Sequence, residues 1–186
     1  MNTSFKKTLL QIARDAITEQ LTGEILIDRN RLTDQYPELT EPGAVFVTLN
    51  KNHQLRGCIG SIEAHRPLMD DIIENAVSAA FRDPRFIPLI KDELPDISVE
   101  ISILSAPEVV GYNSVTELKQ KVKPGTDGII LSNGYHRAVF LPQVWEQLPG
   151  FDLFFEHLCK KAGLSGNCLN DFPRIEKFHV TIVEEP

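Results

Sequence analysis

The chain has 186 residues, 42% of them apolar, which suffices for one domain with a real core and room for a small attached lobe. Acidic residues outnumber basic ones by 26 to 19, for a net charge of -7, and no block of basic residues interrupts the excess. Such a field repels a polyanion, so nucleic acid is disfavoured as a partner.

Phe5, Leu9, Ile12, Ala13, Ala16 and Ile17 recur at helical spacing and predict an amphipathic helix of about four or five turns. Thr22-Gly23 ends it. Gln11, Arg14 and Asp15 break its apolar face, so this is not a secretory leader. No later run approaches the ~18 apolar residues of a membrane span, and a cytoplasmic protein is expected. The stretch up to Gly43 contains Pro37 and Pro42, lacks periodicity, and reads as a long ordered connection. Residues 44–49 predict a strand and residues 55–62 its hairpin partner, joined across the polar turn Asn50-Lys51-Asn52-His53-Gln54.

Pro67 opens a second helix, with Asp70 and Asp71 in its first turn and Leu68, Ile72, Ala76, Val77, Ala80 and Phe81 as its apolar stripe. Asp83-Pro84 closes it. Residues 97–104 alternate as a strand, residues 115–122 read as a short helix, and Pro124-Gly125 as a break. Asn133-Gly134 predicts a second hairpin between residues 128–132 and 137–141. Residues 142–148 and 151–162 follow as helices, the second stopped by Gly163, and residues 175–183 form a final strand. Locally paired strands with helices between them predict an α+β fold: a largely antiparallel sheet flanked by helices in a single domain over residues 1–186.

The most unusual segment is Leu55-Arg56-Gly57-Cys58-Ile59-Gly60. Strict alternation puts Arg56, Cys58 and Gly60 on one face and Leu55, Gly57 and Ile59 on the other, with Leu55 and Ile59 in the core. Gly57 and Gly60 leave backbone uncovered, as at a bulge or a ligand contact. An arginine beside a cysteine favours the nucleophilic thiolate, which makes Cys58 a candidate nucleophile and Arg56 a candidate anion holder. His53 and His65 flank the segment as candidate bases. The competing reading is a small cysteine packed under a crossing helix. A second candidate is the corner Phe81-Arg82-Asp83-Pro84-Arg85-Phe86. Its arginines suit a helix C-terminus and could hold a small anionic ligand, but the favoured reading is an ion-paired corner that fixes the turn through Asp83. Cys58, Cys159 and Cys168 are odd in number and widely spaced, so reduced thiols are expected, with Cys159 packed in the core. No closely spaced metal-ligand motif or phosphate loop occurs, and neither metal nor cofactor is expected.

Val47-Thr48-Leu49 followed by Leu55-Arg56-Gly57-Cys58-Ile59-Gly60 resembles the signature of the AMMECR family. Later blocks resemble it too: Arg82-Asp83-Pro84-Arg85-Phe86, Leu94-Pro95 with Val99-Glu100-Ile101-Ser102, Asp127-Gly128-Ile129, residues 140–145 and residues 157–164. Ser165-Gly166-Asn167-Cys168-Leu169 departs from relatives that carry Trp after the Ala-Gly-Leu segment. The resemblance covers nearly the whole chain. It implies a sheet with helices and a smaller second lobe, and a partnership with Memo-type and radical SAM proteins, as in the AmmeMemoRadiSam system protein A group. It does not supply a reaction. Two functions compete: an enzyme or modification factor working through Cys58, and a non-catalytic interaction module in which Cys58 is structural.

Overall fold

The computed structural model describes residues 1–185. The chain forms two compact units, Met1–Leu104 with the segment from Thr181 onward, and Ser105–Val180. Both combine antiparallel sheets with helices, as the α+β expectation requires.

The first unit opens with α1 (Thr3–Thr22), capped by the Asn2 side chain, which accepts from the Phe5 amide at 2.7 Å. Gly23 ends it at φ 76°, where its amide reaches the Glu19 carbonyl at 2.8 Å. The expected long connection contains a short helix, α2 (Arg29–Gln35), capped by Asp28, and a 3₁₀ turn at Pro37–Thr40. No residue of α2 is buried, so there was no apolar stripe for a periodicity argument to find.

Next come β1 (Pro42–Lys51), β2 (Gln54–Gly60), the short β3 (Arg66–Pro67), α3 (Leu68–Phe81) and β4 (Ile97–Leu104). The last strand, β9 (Val180–Glu184), joins this sheet, whose order is β2-β1-β4-β9, with β3 paired to the start of β1. Val45, Val47, Leu49, Val99, Ile101 and Val183 bury one face of the sheet in a core shared with α1 and α3.

Polar side chains of α3 fasten that face. Asp71, fully buried, accepts from the Val45 amide at 2.8 Å, Ser61 Oγ at 2.7 Å and Arg66 Nε at 2.7 Å. Asn75 donates to the Val45 carbonyl and to Ser61 Oγ, both at 3.2 Å. Thus Asp71, expected to serve the helix dipole, also closes the hydrogen bonds of β1. At the other end of the unit Arg14 grips the Glu185 carboxylate through Nε at 2.7 Å and Nη2 at 2.5 Å.

The second unit contains β5 (Glu108–Val109), α4 (Val115–Lys121), β6 (Gly128–Asn133), β7 (His136–Phe140), α5 (Val144–Gln147), α6 (Phe151–Lys161) and β8 (Arg174–Phe178), with sheet order β5-β8-β6-β7. The predicted hairpin is present, but Asn133 pairs with His136, so the turn residues are Gly134, at φ 59°, and Tyr135. Its core centres on Phe154, stacked on Trp145 at 3.5 Å between ring centres and meeting Phe140 edge-on at 5.2 Å. Trp145 Nε1 donates to the Asp127 carbonyl at 2.8 Å. The fully buried Asp127 side chain lies 3.1 Å from His179 Nε2.

Two expectations fail in this part of the chain. The single strand expected over residues 175–183 is two strands, β8 and β9, which enter different sheets on either side of His179. Cys159 and Cys168 are not reduced thiols: they form a disulfide, with Cα atoms 5.9 Å apart. Gly163, at φ 76°, turns the chain back after α6 and sets the 3₁₀ turn Cys168–Asp171 against that helix. Wide spacing along the chain therefore did not mean separation in space. Among the described residues no helix is long and apolar enough to cross a membrane.

β2 packs closely against α3 at Gly57. A Cβ placed on Gly57 would stand 2.1 Å from the Ala79 carbonyl oxygen, an unyielding backbone atom. Gly57→Ala should therefore lower stability by about 3 kcal/mol or more in a denaturant melt. Gly111→Ala, where an added Cβ meets nothing within 4 Å, should stay within about 0.5 kcal/mol of the parent.

Candidate functional site

The register of β1 and β2 decides what the Arg56–Gly60 segment presents. Thr48 pairs with Cys58 and Leu49 with Gly57, but Asn50 pairs with Leu55. Arg56 is thus the extra residue of a β-bulge, and a bulge breaks the strict alternation of faces. Leu55, expected in the core, is 44% exposed. Ile59 does pack against the core, as its pairing with Val47 dictates.

Arg56, expected to line an open face, is buried. Its Nε and Nη2 hold Glu93 at 3.2 and 2.9 Å, and Nη2 also donates to the Ile87 carbonyl at 2.9 Å. Nη1 is buried without a hydrogen bond. Lys51 adds an ion pair to Glu93 at 3.0 Å. Hydrogen bonding from Arg56, then from Lys51 and the Ile90 amide, outweighs the desolvation of Glu93 and lowers its pKa from 4.5 to about 2.

The arginine that reaches Cys58 is instead Arg85. The Asp83 side chain accepts from the Cys58 amide at 2.9 Å, and Arg85 Nη2 donates to the Cys58 carbonyl at 3.2 Å. Asp83 and Arg85 are joined by two side-chain bonds, at 2.9 and 2.6 Å. These bonds, with those from the Cys58 and Arg85 amides, hold the Asp83 carboxyl well below its usual range against the cost of burial. The Arg85 side chain is 54% exposed, and Phe86 lies beneath it at 5.5 Å. Arg82 points elsewhere, to Glu74 at 2.5 Å.

Cys58 is free and half-buried, with Thr48 Oγ1 3.3 Å from its sulfur. The histidines do not join it. His53 sits at the exposed hairpin tip at φ 61°, and the four residue-to-residue steps from Gln54 to Cys58 span about 13 Å of strand. His65 is exposed and bonds the Glu63 carbonyl at 2.9 Å within its own loop. Gly57 and Gly60 serve close packing, against Ala79 and the Phe46 ring respectively. The structure therefore gathers Cys58, Thr48, Asp83 and Arg85, and commits Arg56 to Glu93. Thr48 enters the sequence pattern only within the Val47-Thr48-Leu49 block, not as a site residue. Its signal is the hairpin register, which places it opposite Cys58.

The AMMECR1 family model matches residues 10–183. The chain belongs to the AMMECR1 family. A protein of Methanothermobacter thermautotrophicus is 42% identical over 183 residues, covering 96% of this chain and 93% of the relative. One from Methanocaldococcus jannaschii is 38% identical over 182 residues, covering 95% and 88%. The crystal structure of an uncharacterized protein from Pyrococcus horikoshii superposes with a TM-score of 0.86 at 35% identity, covering all of this chain and 93% of that one.

The buried ion pair gives a direct test. Arg56→Ala leaves the Glu93 carboxylate with Lys51 as its only ion-pair partner among the described residues and should cost about 3 kcal/mol. Ile59→Ala, at a half-buried position, should cost about 2 kcal/mol. The Glu93 contribution is full above about pH 4.5 and fades as pH falls towards about 2, because the folded state holds the depressed pKa. Denaturant midpoints of the parent and Glu93→Gln should accordingly converge over that window. Parallel curves would remove Glu93 as the titrating group.

Proposed function

We propose that the Cys58 face of the β1–β2 hairpin is a thiol site for a small anionic electrophile, with Cys58 as nucleophile or modified thiol and Arg85 as anion holder. One observation carries this reading: a half-exposed guanidinium is fixed on the carbonyl of the residue whose free thiol lies beside the Thr48 hydroxyl. Arg85 takes the role first given to Arg56, while Asp83 fixes its position. The reading takes the cytoplasm as the compartment, where an accessible thiol stays reduced.

Partnership with Memo-type and radical SAM proteins belongs to the same proposal, on the strength of the family resemblance. Ile87 and Ile90, 78% and 57% exposed, flank the Arg56–Glu93 pair through their backbone bonds to it and support a docking surface. This surface also favours the alternative of a non-catalytic interaction module. Ile87→Asp with Ile90→Asp should abolish co-elution with those partners and leave Cys58 alkylation unchanged.

The thiol reading is tested by comparing iodoacetate with iodoacetamide at one pH, with intact-mass and peptide readout. Cys58 should be alkylated in the folded state, while the disulfide-bonded Cys159 and Cys168 are spared. Arg85→Ala should lower the iodoacetate-to-iodoacetamide rate ratio about two- to thirtyfold, the range one charge ~8 Å away produces as the effective dielectric falls from 80 to ~20. Arg85→Lys should keep most of the ratio. A folded-state Cys58 that resists both reagents, or a ratio indifferent to Arg85→Ala, would refute the site.

A further inference from the structure

Cys58, Thr48 and Glu100 stand in line across β2, β1 and β4, because Thr48 is opposite Cys58 in one strand pair and opposite Glu100 in the other. Their chain neighbours Ile59, Val47, Val99 and Ile101 belong to the core, so the line occupies the sheet face turned away from α1 and α3. The bonds from the Glu185 amide to the Val99 carbonyl and from the Ser105 amide to the His179 carbonyl run antiparallel and set Glu184 opposite Glu100. Two strand spacings separate Cys58 from Glu100, about 10 Å between Cα atoms. All three side chains stand on that one face, with Thr48 between the other two and its Oγ1 3.3 Å from Cys58 Sγ.

We propose that Glu100 is the proton donor of the Cys58 site, acting on the leaving group of a small anionic group donor bound over Thr48 between Arg85 and β4. This rests on the thiol reading above. In the step, a bond forms between Cys58 Sγ and the electrophilic atom, and the bond from that atom to its leaving group breaks. The leaving group departs with the Glu100 proton, Cys58 releases its own proton to solvent, and Glu100 is reprotonated from solvent. No oxidant or reductant is consumed.

The surroundings of Glu100 suit the role. Burial raises its pKa, the facing Glu184 carboxylate raises it further, and a hydrogen bond with Ser102 works the other way. The facing residues are Thr48 on β1, with Cys58 beyond it on β2, and Glu184 on β9; Glu184 carries the charge. A carboxyl whose pKa is raised by such surroundings holds its proton to higher pH than an exposed glutamate and can give it up there.

The probe is 2,2′-dipyridyl disulfide, whose thiopyridine leaves with a proton on the ring nitrogen. Its exchange rate with Cys58 is followed against pH in the full-length chain. The parent should show a fast acid limb that falls away as Glu100 ionises. Glu100→Gln should slow that limb about tenfold or more, with melting temperature unchanged. Glu184→Gln, which removes the facing charge, should move the limb to lower pH. An acid limb that survives Glu100→Gln, or stays in place in Glu184→Gln, overturns the assignment while the Arg85-dependent preference still upholds the thiol site. Loss of that preference in the parent overturns both.

Discussion

The missing side chain at Gly57 is the constraint on which the first unit turns. Only without a Cβ can β2 lie against the Ala79 carbonyl, and that distance fixes where α3 ends relative to the strand. The residues just past the helix, Asp83 and Arg85, then fall on the amide and carbonyl of Cys58. One substitution-sensitive contact thus sets the position of the groups beside the thiol.

The bulge at Arg56 works with this contact. It turns a charged side chain inward onto Glu93 and lets the large apolar Leu55 face solvent, the reverse of simple alternation. Burying an ion pair does little for net stability compared with an apolar pair of the same volume, but breaking one is costly. Its use here is positional. The pair ties β2 to the Ile87 carbonyl and the Ile90 amide, bracing the loop that carries Arg85 and Phe86 from its far side.

Much of this fold is written in local patterns. The apolar stripes of α1, α3 and α6, the two hairpins and the Asp83-Pro84 stop are readable because each depends on neighbours in the chain. What escaped depends on pairing at a distance. The bulge is invisible until Asn50 is known to face Leu55. The disulfide needs the turn at Gly163, and the split at His179 needs two sheets. The candidate segment was legible through its glycines and cysteine, yet its arginine was misassigned: adjacency in sequence pointed to Arg56, whereas α3 delivers Arg85 from 27 residues away.

The Asp83–Arg85 pair has one more effect. β2 is the outermost strand of its sheet, and the amide and carbonyl of Cys58 face away from β1. An open strand margin is a template on which a second chain can add itself. Here a carboxylate occupies the donor and a guanidinium the acceptor, so an incoming backbone finds both already taken. The groups that flank the thiol therefore also guard the sheet against self-assembly, and the protein can carry a free thiol at its margin without becoming sticky along it.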